Sequence, residues 1–363
     1  MGKRAKVVNL VVDTFGNYLG MDNGCIVLRD KEKNEQKYPL FESVISEVVL
    51  TSGNLVSTGA LSCLGFWGID VLIATRNGRP IAMLKNLEDD AHVNTRICQY
   101  EALKNGKGID IAKQIVIAKI FSQNQLLKKY GLRQHDLMNA KRSIDDLGTT
   151  DLALLGKKLI NIEGRFTRGY FDQIFQMLPY RLRPDKRLGF QAYDGINNLF
   201  NLGYELLFWK CYRALSKAHL ETHLGFVHTL KWGRPSLVCD FEEIYRYLID
   251  DFLIGFSKNM KPSDFTARTI MFNDKKGKRM YLNKTKTNEL LKKLHDYFRS
   301  FVNVPRIKMG KRQEIESLIN EEAFLLAKYM RGEKPNWTPR IAELWRCFLC
   351  TSAFPQSGYV RGS

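Results

Sequence analysis

Residues 87–103, LEDDAHVNTRICQYEAL, and residues 108–131, GIDIAKQIVIAKIFSQNQLLKKYG, decide the architecture, because here the hydrophobic period changes. Within them apolar residues recur every three to four positions, the spacing of an amphipathic helix. Ahead of them the pattern is that of strands. Residues 7–12, 24–29, 44–50, 69–74 and 81–84 are short aliphatic or β-branched runs. They are separated by turn chemistry at Phe15-Gly16-Asn17, Asp22-Asn23-Gly24 and Arg76-Asn77-Gly78-Arg79-Pro80. One helix, over residues 57–67, interrupts them. The expected fold class is therefore α+β: a small sheet domain over residues 1–86, a linker near 85–90, a larger helical domain over 87–339 and a tail over 340–363.

Within the helical part, residues 151–178 carry Leu152, Leu155, Leu159, Ile162 and Phe166 on one stripe, with Glu163 at its edge. Two apolar segments, 194–215 and 239–256, follow the basic turn YRLRPDKR at 180–187. Residues 265–287, FTARTIMFNDKKGKRMYLNKTKT, break the helical period and read as a hairpin with Asp274 to Gly277 at its tip. Helices over 287–301 and 311–330 complete the domain.

The balance of 56 Lys and Arg against 38 Asp and Glu leaves a formal charge of +18. Such a surplus concentrates polyanions at the surface, so nucleic acid is the expected partner class. Neither a basic amphipathic helix nor a lipidation signal points to a membrane, and no run approaches the length of a span. Seven cysteines without a paired framework suit a reducing cytoplasm. Cys347 and Cys350 form a lone C-x-x-C with Phe348 and Leu349 between them, which reads as a buried helical edge.

Chemistry concentrates in residues 225–247, GFVHTLKWGRPSLVCDFEEIYRY. A histidine precedes a glycine-proline turn, and carboxylates follow on the first turns of a helix. Asp240 and Glu243 share one helix face, opposite Val238, Phe241, Tyr245 and Leu248. Glu163, His228 and Glu243, with Asp240 as a fourth candidate, satisfy the minimum for a catalytic cation. Imidazole beside carboxylates suits Mn2+ or Mg2+ better than a zinc-thiolate site. Arg165, Arg168, Lys231 and Arg234 lie close in sequence and can bind flanking phosphates. The same residues also admit a structural reading: a hydrogen-bonded histidine before a turn, and an Asp-x-x-Glu pair placed for the helix dipole.

The ordered motifs resemble the CRISPR-associated integrase family, the Cas-one protein of spacer acquisition. VVDTFGNYLGMDNGCIVLRD is similar to the family's opening β hairpins, and IAKQIVIAKIFSQNQLL to the helix that begins its helical domain. EGRFTRGYF, LFNLGYELL, GFVHTLKWGRPSLVCDFEEIYR and EEAFLLAKYMRGEKPNWTP then follow in family order. The third of these, with Gly-Phe-x-His, the turn and Asp-x-x-Glu at family spacing, is the most specific. One departure precedes it: the family usually has Gly-Leu-Asp-Pro where this chain has His219-Leu-Glu-Thr-His223.

The resemblance implies a β-sandwich-like N-terminal domain that forms a homodimer, followed by an all-α catalytic domain. It further implies a Mg2+ or Mn2+ ion held by Glu163, His228 and Glu243 with Asp240 in support. The implied activity joins 3′-hydroxyl ends of short DNA fragments to a CRISPR repeat by transesterification, in a hetero-hexameric complex with the smaller Cas-two protein. Two alternatives stand beside it: a structure-specific nuclease for branched DNA, and a non-catalytic nucleic-acid scaffold.

Overall fold

The computed structural model describes residues 6–40, 43–75, 80–84, 93–189, 192–228, 233–272, 275–305 and 312–344. They belong to two compact units, residues 1–93 and 94–363. In the first unit the strands are β1 (Lys6–Val12), β2 (Tyr18–Asp22), β3 (Cys25–Arg29), β4 (Glu35–Pro39), β5 (Ser43–Thr51) and β6 (Leu55–Val56). Helix α1 (Thr58–Phe66) and strands β7 (Asp70–Ala74) and β8 (Pro80–Leu84) follow. Among the described residues they make two four-stranded sheets, ordered β1-β5-β7-β8 and β4-β3-β2-β6.

The turn between β2 and β3 is the two residues Asn23 and Gly24, both at positive φ (46° and 75°), since Asp22 pairs with Cys25. This is the backbone that Asn-Gly favours and that matches strand twist. Leu10, Val12, Leu19, Ile26, Val48, Leu64 and Val71 bury against one another, so both sheets and α1 share a core and the unit is sandwich-like.

Helix α2 (Val93–Ala102) starts at the boundary residue, and α3 (Lys107–Lys129), α4 (Leu137–Asp145) and α5 (Leu152–Gln176) follow in the second unit. Then come α6 (Gly195–Lys217), α7 (Ser236–Glu242) and α8 (Arg246–Ser257). The hairpin β9 (Phe265–Phe272) and β10 (Lys275–Leu282) precedes α9 (Lys284–Phe298), the short pair β11 (Phe301–Asn303) and β12 (Arg312–Glu314), and α10 (Ile315–Met330). Lys275 pairs with Phe272, so the hairpin connection is residues 273–274, outside the described residues.

Helix α5 starts where Asp151 accepts from the backbone of Ala153 and Leu154, an N-cap that satisfies otherwise orphaned amides. Its stripe of Leu155, Leu159, Ile162, Phe171 and Ile174 is buried beside Ile111, Ile115 and Val116 of α3. The segment 239–256 differs from its expectation as one helix. It divides into α7 and α8, with Glu243–Tyr245 in a turn where Tyr245 N–H donates to Glu242 O at 2.9 Å. The apolar period runs unbroken through this turn, because Phe241, Ile244, Tyr245 and Leu248 are all buried, and periodicity alone shows no break there.

The Gly-Pro segment after α10 is clasped to it. Glu322 accepts from Trp337 Nε1 at 2.7 Å and from Arg340 Nε at 2.7 Å. Residues 345–363, with Cys347 and Cys350, lie outside the described residues.

Candidate metal centre and active site

Two glycines allow the loop before α7 to reach the site. A Cβ on Gly225 would stand 2.7 Å from Asp240 Oδ2 and 2.8 Å from the Ser236 backbone, and one on Gly156 would stand 2.6 Å from Val227 O. The loop backbone thus lies directly against both α7 and α5. In that position three successive amides converge on one carboxylate. Phe226 and Val227 N–H donate to Asp240 Oδ2 at 2.6 and 2.9 Å, and His228 N–H donates to Oδ1 at 2.9 Å. His228 Nδ1 is 2.6 Å from the same Oδ1.

A carboxylate can only accept, so Nδ1 carries the proton and Nε2 keeps the lone pair available for a ligand. Asp240 therefore does not share a cavity-facing surface with Glu243 as the helix spacing suggested. It is fully buried, at 0% exposure, and spends both oxygens on loop amides and the imidazole. A carboxylate behind a histidine in this way fixes ring orientation and raises ligand basicity.

Glu163 from α5 and Glu243 from the end of α7 meet at one point. Lys119 of α3 supplies the cation between them, its Nζ 2.5 Å from Glu163 Oε1 and 2.6 Å from Glu243 Oε2. Thr167, one turn along α5, donates to Glu163 Oε1 at 2.5 Å. Arg246 Nη1 lies 2.6 Å from Glu243 Oε1, and its Nη2 pairs with Glu242 Oε1.

Burial alone would raise the Glu243 carboxyl, but Arg246, Lys119 and His228 outweigh it and bring its pKa to about 2. Glu242 goes the other way, because burial dominates and lifts it to about 7 despite Arg246. Burial opposes the Lys119 ammonium, yet Glu243 and Glu163 together raise its pKa.

The cluster lines a cavity of about 280 Å³ that also receives Arg187, Tyr204 and Asp250. Arg187 and Arg246 sit over the Tyr204 ring, at 5.2 and 4.9 Å. Asp250 accepts from Tyr170 at 2.6 Å and from the Tyr204 hydroxyl. Burial raises its carboxyl to about 6, with both tyrosine hydroxyls and Arg187 pulling it down.

The structure thus joins Glu163 to Glu243 and His228 to Asp240, and His228 is near enough to affect the charge on Glu243. Among the described residues no three His, Cys, Asp or Glu side chains are gathered closely enough to hold a metal. The two glutamates are drawn onto ammonium and guanidinium groups instead, since like charges in a buried site need a cation between them. The donor chemistry fits a hard divalent ion: two carboxylates on one cation point, with Glu243 Oε2 buried and accepting no well-directed hydrogen bond.

Arg165 and Arg168 are exposed on α5, Arg234 is half-buried with Nε 3.4 Å from Cys239 Sγ, and Lys231 lies outside the described residues. Sequence reasoning passed over Lys119, Arg246 and Asp250. Lys119 had a visible signal, a lone cation inside the apolar run IVIAKIF.

The family model for CRISPR associated protein Cas1 matches residues 10–296. CRISPR-associated endonuclease Cas1 1 of Archaeoglobus fulgidus is 30% identical over 290 residues, 73% of this chain and 83% of that protein. Among solved structures, a casposase bound to integration product superposes with a TM-score of 0.72 at 20% identity, over 91% of this chain and 92% of that one. A chain of a Cas6-RT-Cas1–Cas2 complex superposes with a TM-score of 0.68 at 22% identity, over 93% of this chain and 37% of that one. This chain belongs to the CRISPR associated protein Cas1 family. Among the described residues no helix is long and apolar enough to cross a membrane.

Proposed function

We propose that this chain is a metal-dependent DNA endonuclease and strand transferase that joins the 3′-hydroxyl ends of short DNA fragments to a CRISPR repeat by transesterification. The observation that carries this reading is the meeting of Glu163 and Glu243, from separate helices, on one cation point in a cavity lined with further cations. Glu163, His228 and Glu243 would hold Mg2+ or Mn2+, with Asp240 keeping the His228 ring and its loop in place. When bound, the ion supplies Lewis acidity at a phosphodiester oxygen. Arg187 and Arg246 place positive charge where a phosphate oxygen gains negative charge. Arg165 and Arg168, exposed on the helix that carries Glu163, bind flanking phosphates and fix the register of the duplex.

The sandwich-like unit is the proposed homodimerisation surface. The smaller Cas-two protein is the proposed partner in a hetero-hexameric complex, a reading supported by the similarity to a chain of a complex that carries both names. Double-stranded and branched DNA are the proposed substrates.

A fragment with free 3′-hydroxyls should join to a repeat duplex in Mn2+ and fail to join in EDTA. The same fragment with blocked 3′ ends should not join at all. Equal joining of blocked and free ends would show that the hydroxyl is not the attacking group. Binding should also fall steeply with salt, because each neutralised phosphate releases a counterion and lowers log K by about 0.9 per log unit of salt. A flat salt response would exclude a phosphate-dominated interface.

A further inference from the structure

Three buried carboxylates among the described residues of the second unit have cationic or phenolic partners of their own. Asp251 has Lys129 and Tyr130, Glu322 has Arg340 and Trp337, and Asp250 has Tyr170 and Tyr204. Glu163 and Glu243 differ, because they divide one ammonium between them. Its two contacts, 2.5 and 2.6 Å, bring an oxygen of each carboxylate to the same point. Mg2+ takes carboxylate oxygens at about 2.0–2.1 Å, so an ion bridging this pair needs the space that Lys119 Nζ fills. Two cations cannot share it.

Helix α3 is held in the core by Ile115, Val116 and Ile120, so the response falls to the Lys119 side chain, a flexible four-carbon stem. An acceptor lies ready on the same helix face. Gln123, one turn along, lines the same cavity, and its Oε1 is buried without a hydrogen-bond partner while its Nε2 donates to Thr167. Buried acceptors of this kind are uncommon and call for a reason.

We infer that Lys119 is a placeholder cation: its ammonium holds Glu163 and Glu243 together in the metal-free protein. On binding of a divalent ion, it turns to Gln123 Oε1 and the cavity, where it faces the DNA phosphate. This rests on Glu163 and Glu243 being the metal-holding pair. Lys119 thereby becomes a positioning residue that keeps two like charges at metal-binding distance before the metal arrives.

The test uses the full-length wild-type chain first. Amine acylation of Lys119, read by mass spectrometry at fixed pH, should be low without metal and should rise on addition of Mn2+. Labelling that stays level or falls while Mn2+ binds would overturn the inference. This measurement needs no variant and so survives any folding defect. Lys119→Met should then bind Mn2+ about tenfold more tightly or better, since the competing charge is gone. It should also gain more in Tm from Mn2+ than the wild type does. Unchanged or weaker Mn2+ affinity in that variant would likewise overturn it. Glu163→Gln separates the two layers. If Glu163→Gln loses Mn2+ while Lys119→Met matches the wild type, the placeholder role falls alone. If Glu163→Gln binds Mn2+ as the wild type does, the metal-holding pair and the placeholder role fall together.

Discussion

Two of the buried acid–base clusters among the described residues of the second unit are of opposite character. Around Glu322, at 0% exposure, each oxygen has a directed donor: Oε1 accepts from Trp337, and Oε2 accepts from the backbone and side chain of Arg340. Around Glu243 the neighbours are cations with several claims on them. Lys119 serves two carboxylates, Arg246 serves Glu242 and Glu243, and Oε2 of each glutamate lacks a well-directed hydrogen bond. The first cluster ties the segment after α10 to the core. The second borders a cavity, where the proposed exchange of Lys119 for a divalent ion would move a side chain and leave the helices in place. Burying a charge is costly in both places, but only the saturated cluster has turned that cost into a fixed joint.

Breaking each cluster should therefore give different signatures. Glu163→Gln or Glu243→Gln should reduce DNA joining on the order of 10³-fold or more, the loss of several kcal/mol of charge stabilisation, with the helical circular dichroism retained. Joining at wild-type rates in either variant would remove these residues from the site. Glu322→Ala should cost about 3–4 kcal/mol in urea denaturation, because it strands Arg340 and Trp337. Its joining rate per folded molecule should match the wild type; a selective loss of activity would mean that the clasp also serves the reaction.

The tyrosine-bound Asp250 sharpens the contrast through pH. Its folded pKa, about 6, lies above the ordinary value of 3.8, so the folded chain holds the proton more tightly than the unfolded one. The group's contribution is then most favourable below pH 3.8 and declines as pH rises to about 6. Asp250→Asn removes this dependence. Relative to the wild type it should gain about 3 kcal/mol of stability between about pH 3 and about pH 8, measured as the change in the difference between their unfolding free energies. A constant difference would place Asp250 outside the buried, proton-linked set. The smallest effect is expected for Asp240→Asn, which weakens the His228 support. Mn2+ affinity, read by titration calorimetry, should fall about 10–100-fold. No change would show that the loop amides alone hold His228.

The strands with aliphatic runs, such as β1, β5 and β7, and the long helices α3 and α5 were legible because each presents a regular apolar face. β4, EQKYP, was not: it is an edge strand with its first three side chains exposed, and nothing in it alternates. The α7–α8 break escaped notice because the core accepts apolar residues on both sides of the turn. In the candidate site, His228, Asp240 and Glu243 stood out through local spacing and Glu163 through its place at the edge of a stripe. The division of labour between Asp240 and Glu243 was not. Helix period alone puts them on one face, and the approach of the Gly225 loop is what commits Asp240 to backbone amides.

By itself, the sequence determined the order of a sheet unit and a helical unit, the basic surface and the residue types able to meet a divalent ion. These depend on period, charge and local turn chemistry, all of which are written along the chain. Only the tertiary structure decided which cation stands between Glu163 and Glu243. Lys119 lies 44 positions before the first and 124 before the second. Its partners are set by how α3, α5 and the end of α7 pack, and no spacing along a single element encodes that.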